Sequence, residues 1–266
     1  TLALVRDVPF HFEPGEQMRY SNSGYLLLGM LLEAVTERAY ADHVAEHLLA
    51  PAGMASSRYC DQRALIPRRA SGYEYTPDGL LRARFVSFRI PFAAGGLCAT
   101  AADLVEWTRA LHDGRIVSPA LHAELVRPGQ LTGGRATRYG LGLAVGELAG
   151  RPAWHHGGGI QGFTSYAAYF PDDSLSVAVL VNTMGPMGAD AVVEAMARAL
   201  PGGAGRAATA PAPADLSRFV GRYGGAEVTL GPGGLHVTGL PFGEADLRPV
   251  GGTTFTDGRG LYTTRQ

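Results

Sequence analysis

The chain has 266 residues, 46% of them hydrophobic and 18% charged, a balance that excludes a disordered protein and is long enough to bury a substantial core in one large domain or two smaller ones. The formal net charge is −1 and no basic block occurs, which argues against nucleic acid as a partner. No apolar run approaches the length of a membrane span. Cys60 and Cys98 do not form a metal-ligand spacing, and either two thiols or one bridge fits them.

Thr1–Val8 reads as the end of a preceding element, and Phe10–Phe12 enters a turn at Pro14-Gly15. From Gly24 to Tyr40 the apolar positions Tyr25, Leu28, Leu32 and Val35 recur at helical spacing. Leu26, Leu27, Met30 and Leu31 thicken that stripe, so the helix is expected to be buried on most sides. Ala41–Leu49 reads as a second helix, ended by Pro51 and Gly53. Met54 to Phe92 is loop-rich, with turns at Ser71-Gly72 and Thr76-Pro77-Asp78-Gly79. The small residues of Ala93–Thr100 let backbone approach backbone.

Thr100-Ala101-Ala102-Asp103 then opens a helix as a capping box, with Asp in place of the usual Glu. That helix carries Leu104, Trp107, Thr108 and Leu111 on one face and stops at Asp113-Gly114, and Ser118–Val126 is a further short helix. Four strand candidates follow: Tyr139–Gly146, Arg151–His156, Thr164–Phe170 and Leu175–Asn182, the last two joined by a hairpin at Phe170–Ser174. Ala189–Leu200 is a closing helix. This order predicts an α+β fold, an antiparallel sheet packed with helices, over residues 1–200. Residues 201–214, made of Gly, Ala, Pro, Thr and one Arg, read as a linker. Residues 215–266 read as a small all-β region with strands at Ser217–Tyr223, Glu227–Leu230, Gly234–Val237 and Asp246–Val250.

Two stretches carry chemistry. Arg19-Tyr20-Ser21-Asn22-Ser23-Gly24 delivers a phenol, hydroxyls and a carboxamide to the mouth of the first helix, where N–H groups lack partners. Ordinary helix capping by Ser21, Asn22 or Ser23 also accounts for it. The second stretch is Trp154-His155-His156-Gly157-Gly158-Gly159-Ile160-Gln161-Gly162-Phe163, a histidine pair at the head of a glycine-rich strand. Adjacent strand residues point to opposite faces, and no nearby Cys or carboxylate completes a ligand set, so the pair is not read as a metal site.

Together these stretches resemble the second and third motifs of the penicillin-recognising serine hydrolases, which include class C β-lactamases, D-Ala-D-Ala peptidases and related esterases. Tyr20-Ser21-Asn22 matches the Tyr-x-Asn motif and His156-Gly157-Gly158 the Lys- or His-x-Gly motif. Pro14-Gly15-Glu16, Tyr25–Gly29, Pro51–Met54, Ala93–Leu97 and Tyr139-Gly140-Leu141-Gly142 extend the likeness from about Phe12 to Asn182 in the same order.

The resemblance implies catalytic roles for Tyr20 and His156. Tyr20 would shuttle the proton, since a phenol serves as a base near neutral pH only beside cations, of which protonated His156 is one. It implies substrate binding by Asn22 through its amide and by the Gly157, Gly158 and Gly159 backbone, with the Gly159 N–H as half of an oxyanion hole. His156 is placed in the site, and not His155, because the glycine run follows it; Ser21 is taken as structural.

All 23 Lys+Arg residues are Arg, so the family's Ser-x-x-Lys motif does not occur in these residues. The expectation is therefore the later part of a longer protein, inactive by itself, followed by the start of a lipocalin-like β domain. No Gly-x-Ser-x-Gly elbow supports a Ser-His-Asp hydrolase instead. The function implied is acyl-enzyme hydrolysis or transfer on a small-molecule or peptide ester, peptide or amide, with no cofactor. Histidine in the third motif leans away from efficient β-lactamase activity. A thioesterase of the penicillin-binding type that cyclises peptides, and a non-catalytic binding protein that has lost its nucleophile, are the alternatives.

Overall fold

The structure, a computed structural model, describes residues 8–60, 63–76, 79–185, 187–200, 215–223, 226–240, 243–251, 254–256 and 261–263. The linker expected at 201–214 lies outside them, as do residues 1–7. The chain divides into two compact units, Thr1–Leu65 with Ser87–Gly146 and Trp154–His156, and Ile66–Val86 with Glu147–Ala153 and Gly157–Gln266.

In chain order the elements are α1 (Asn22–Thr36), α2 (Tyr40–Val44), a π-helical turn (Ala45–Leu49), α3 (Ala50–Ala52), β1 (Arg58–Tyr59), β2 (Tyr73–Thr76), β3 (Gly79–Arg82) and β4 (Leu97–Cys98). There follow α4 (Ala101–His112), α5 (Pro119–Leu125), β5 (Ala144–Leu148), β6 (Arg151–Ile160), β7 (Phe163–Phe170), β8 (Leu175–Val181), β9 (Thr183–Met184) and α6 (Ala189–Ala199). The chain closes with β10 (Gly221–Tyr223), β11 (Ala226–Gly231), β12 (Gly234–Leu240), β13 (Gly243–Gly251), β14 (Thr254–Thr256) and β15 (Leu261–Thr263).

In the first unit, α1 departs from the burial expected of it. Gly29 alone is buried along its length, while Leu28, Leu31 and Val35 are exposed. A Cβ at Gly29 would lie 2.4 Å from that of Ala93 and 2.8 Å from the Phe92 ring, so the helix seats one narrow face tightly, with Tyr25, Leu26, Leu27 and Leu32 only partly buried beside it. The second predicted helix does not end at Pro51. Proline lacks an N–H and crowds the carbonyl four residues back, and the π turn just before it absorbs that mismatch, with Ala50 N donating to Ala45 O. Gly53, left-handed at φ 77°, then stops the helix.

The core here gathers Val44, Leu49, Ala52, Met54 and Ala110, with Leu104 and Trp107 packed against it. Thr100 caps α4 as expected, accepting from Asp103 N at 3.1 Å. The reciprocal half of the box is absent. Asp103 turns its carboxylate to Ser56 N at 2.8 Å and Ser57 Oγ at 2.7 Å, tying α4 to the loop after α3. Cys60 and Cys98 form a disulfide, their Cα atoms 5.2 Å apart across the β1–β4 pairing.

In the second unit, β7 and β8 form the expected hairpin, closed by a 3-10 turn at Pro171–Asp173 with Ser174 left-handed at φ 49°. Arg151 pairs with Asp173 beneath that turn. Ala153, Ala168, Phe170, Val177, Val193 and Ala197 make the core between these strands and α6. The region expected as loop contains a β2–β3 hairpin, with β9 added parallel to β2. Four residues per strand give a two-residue alternation too little length to stand out, and the Thr76–Gly79 turn signal was the visible part.

The remaining strands, β10 to β15, form a six-stranded antiparallel sheet in sequence order around Phe219, Val228, Leu235, Val237, Leu247 and Phe255. The strands at 254–256 and 261–263 are additional to those read from the sequence. Among the described residues no helix is long and apolar enough to cross a membrane.

Candidate active site

Tyr20 leads into α1 in an irregular segment, and Ser21 is the helix N-cap. Its backbone is extended (φ −146°, ψ 110°), and its Oγ accepts from Gly24 N at 3.2 Å. With the cap supplied by Ser21, the carboxamide of Asn22 is available for another partner: its Oδ1 accepts from the Tyr20 hydroxyl at 3.0 Å. Tyr20 is 48% exposed. Capping and the Tyr20–Asn22 pair therefore coexist, on different side chains.

His156 stands midway along β6, half-buried. Its ring centroid is 5.9 Å from that of Tyr20, tilted by 40°. A residue the motif reading did not assign joins them: the Tyr139 hydroxyl lies 2.8 Å from His156 Nε2, and the Tyr139 ring meets Tyr20 edge to face at 6.2 Å. Burial, then the Tyr25 and Tyr20 phenols, push the Tyr139 phenol up, so that it keeps its proton. The Tyr25 phenol is itself raised, chiefly by burial.

Glycines explain why Tyr139 sits where it does. A Cβ at Gly140 would lie 2.2 Å from Leu125 O, and one at Gly142, left-handed at φ 92°, would lie 3.1 Å from the Tyr25 hydroxyl. The Tyr139 carbonyl accepts from Gly129 N at 3.0 Å and Thr137 Oγ1 at 2.9 Å, and Leu141 N donates to Leu125 O at 2.9 Å. The signal in the sequence was Tyr139-Gly140-Leu141-Gly142 itself, visible as a family likeness but without a partner until the fold supplied one.

His155, the other member of the pair, is held neutral, its pKa lowered to about 4 by burial and then by His156. Gly157, Gly158 and Gly159 are exposed. A Cβ at Gly158 would come within 2.5 Å of Ser165 Oγ, whereas one at Gly159 would meet nothing within 4 Å. β6 is an inner strand, since the sheet order is β5-β6-β7-β8. β5, however, has 5 residues against the 10 of β6 and joins it through Ala149-Gly150, so the glycine half of β6 runs on past the reach of β5. Among the described residues no group of three or more His, Cys, Asp or Glu is placed to hold a metal.

Helices packed on antiparallel strands, with this order of motifs, define an α+β protein of the β-lactamase and penicillin-binding-protein fold. Residues 1–201 match the Beta-lactamase family, and the chain belongs to it, among the β-lactamase-related serine hydrolases. The chain is 32% identical over 177 residues to a D-aminopeptidase of Brucella anthropi, covering 66% of this chain and 33% of that protein. It thus spans about a third of the length of the curated relatives it matches. A D-amino acid amidase from Ochrobactrum anthropi SV3, solved with L-phenylalanine amide, superposes with a TM-score of 0.58 at 29% identity over 65% of this chain and 52% of that one. The octameric penicillin-binding protein homologue from Pyrococcus abyssi gives 0.65 at 24% identity over 99% of this chain and 63% of that one, a likeness of fold alone.

Proposed function

We propose that these residues supply the proton-transfer and oxyanion side of a serine hydrolase that cleaves an amide or short peptide of a D-amino acid through an acyl-enzyme. The observation that carries this reading is the meeting of the Tyr20–Asn22 pair with His156, distant from it in sequence, the ring centroids of Tyr20 and His156 lying at 5.9 Å. The likeness to a D-aminopeptidase and a D-amino acid amidase supports this substrate class. Tyr20 takes the proton of the attacking serine and returns it to the leaving amine, aided by His156 when that ring is charged. Asn22 orients the acyl side chain through its amide, and the Gly159 N–H donates to the oxyanion beside the bare backbone of Gly157 and Gly158.

The serine and lysine of Ser-x-x-Lys are proposed to lie outside residues 1–266, which contain no lysine. The chain by itself then forms no acyl-enzyme. We further propose that residues 215–266 act as an accessory β region joined through 201–214. The same absence of lysine favours a second reading, a binding protein that keeps the site without its nucleophile.

One measurement separates them, and a second tests the placement of the nucleophile. A protein carrying these residues together with a Ser-x-x-Lys segment should hydrolyse D-aminoacyl p-nitroanilides in preference to their L forms; no hydrolysis of either form supports the binder. The 266-residue chain incubated with a fluorophosphonate should show no added mass, and a stoichiometric adduct on one of its serines would overturn the placement of the nucleophile.

A further inference from the structure

We propose that Tyr139 is a positioning residue for His156: its hydroxyl donates to Nε2 and so keeps the proton of the neutral imidazole on Nδ1. The inference rests on the reading of His156 as a site residue, and it concerns which edge of that ring is held. The 2.8 Å separation between the hydroxyl and Nε2 is that of a good hydrogen bond, and the contact is partly shielded from water. In principle either atom donates. An imidazole nitrogen is a far better acceptor than a phenol oxygen, and a phenol O–H is a better donor than a neutral imidazole N–H, so the phenol gives the proton.

The backbone that carries Tyr139 is fixed from behind. The Tyr139 carbonyl accepts two hydrogen bonds, and Gly140 and Gly142 sit where a Cβ would strike Leu125 O or crowd the Tyr25 hydroxyl. That turn fixes the backbone from which the hydroxyl reaches Nε2. A phenol also suits the charged ring, because its oxygen accepts from Nε2–H once His156 is protonated. The tyrosine thus holds the ring in both charge states, at 5.9 Å from Tyr20.

The test reads the ring, not the reaction. Long-range proton–nitrogen NMR of the uniformly 15N-labelled chain reports which nitrogen of a neutral histidine carries hydrogen, and a His156→Gln variant identifies the signals. The expected result is an Nδ1–H tautomer for neutral His156 in the wild type. In Tyr139→Phe the ratio of the two tautomers should move toward Nε2–H by about tenfold, the worth of one hydrogen bond. The signals of His112, on α4 of the same unit as Tyr139, should stay in place and show that the variant is folded.

An Nε2–H tautomer in the wild type overturns the proposal without any variant, which keeps it open to refutation should Tyr139→Phe fail to fold. An unchanged ratio in a folded Tyr139→Phe does the same. Either result leaves the acyl-transfer reading standing, and a failure of that reading in the hydrolysis assay would leave the tautomer unaltered.

Discussion

The hydroxyl of Tyr20 reaches two residues forward to Asn22 Oδ1, at 3.0 Å, across the residue that caps the helix. The tripeptide divides its work: Ser21 starts α1, while its two neighbours hold each other. Ser21→Ala should cost about 1 kcal/mol of stability, the usual worth of an N-cap. Urea unfolding should show a lowered midpoint with an unchanged slope. Asn22→Ala should change the midpoint less, because it removes a hydrogen bond between half-exposed side chains.

Asp103 carries more. It is 9% exposed, and its carboxylate holds Ser56 N and Ser57 Oγ, so removing it leaves donors without their acceptor. Asp103→Ala should destabilise the first unit by about 2–3 kcal/mol. Asp103→Asn, which keeps one oxygen of similar shape, should recover part of the loss in the same unfolding experiment.

The disulfide between Cys60 and Cys98 closes a loop with a sequence separation of 38 residues. On the chain-entropy account this is worth about 4 kcal/mol. Adding a reductant should lower the melting temperature of the wild type and leave a Cys60→Ala/Cys98→Ala variant unaffected, the two then melting close together.

Two histidines predict an acid-side weakness. The pKa of His112, which lies 2.8 Å from His122 and against the Trp154 ring, is lowered from 6.5 to about 4, first by burial and then by His122. His155 is lowered to about 4 as well. Both rings stay neutral in the folded chain below pH 6.5, where the unfolded chain binds protons on them. The unfolded state then holds more protons, so their contribution to stability falls as pH drops from 6.5 to about 4. Exposed His236 works in the opposite sense, its pKa raised first by its hydrogen bond to Asp246. The test is accordingly a comparison: His112→Gln should melt lower at pH 7 but lose less between pH 7 and pH 4 than the wild type.

Much of the frame was legible in the residues. Capping at Ser118 and Thr100, the β7–β8 hairpin and α6 follow from local chemistry that acts within a few positions. The exposure of Leu28, Leu31 and Val35 was not legible, because helical periodicity says which residues share a face and not what covers it. The turn of Asp103 toward Ser56 and Ser57 escaped for a related reason: the capping pattern is local, and its competitors lie 46 and 47 residues away in sequence. In the candidate site, Tyr20, Asn22 and His156 were singled out by motif, whereas Tyr139 needed the fold, since only the turn at Gly140–Gly142 brings its hydroxyl to Nε2.

The most direct test of the account is the Tyr20→Phe substitution in a protein that carries these residues and a working Ser-x-x-Lys. Tyr20 is 48% exposed and loses only a hydroxyl, so the variant should fold and melt as the parent does. Its kcat/KM for a D-aminoacyl p-nitroanilide should fall by about 100- to 10,000-fold, the range of a general acid–base contribution. A folded variant that keeps its rate to within about twofold, far below that range, would contradict the assignment of Tyr20 as the proton shuttle.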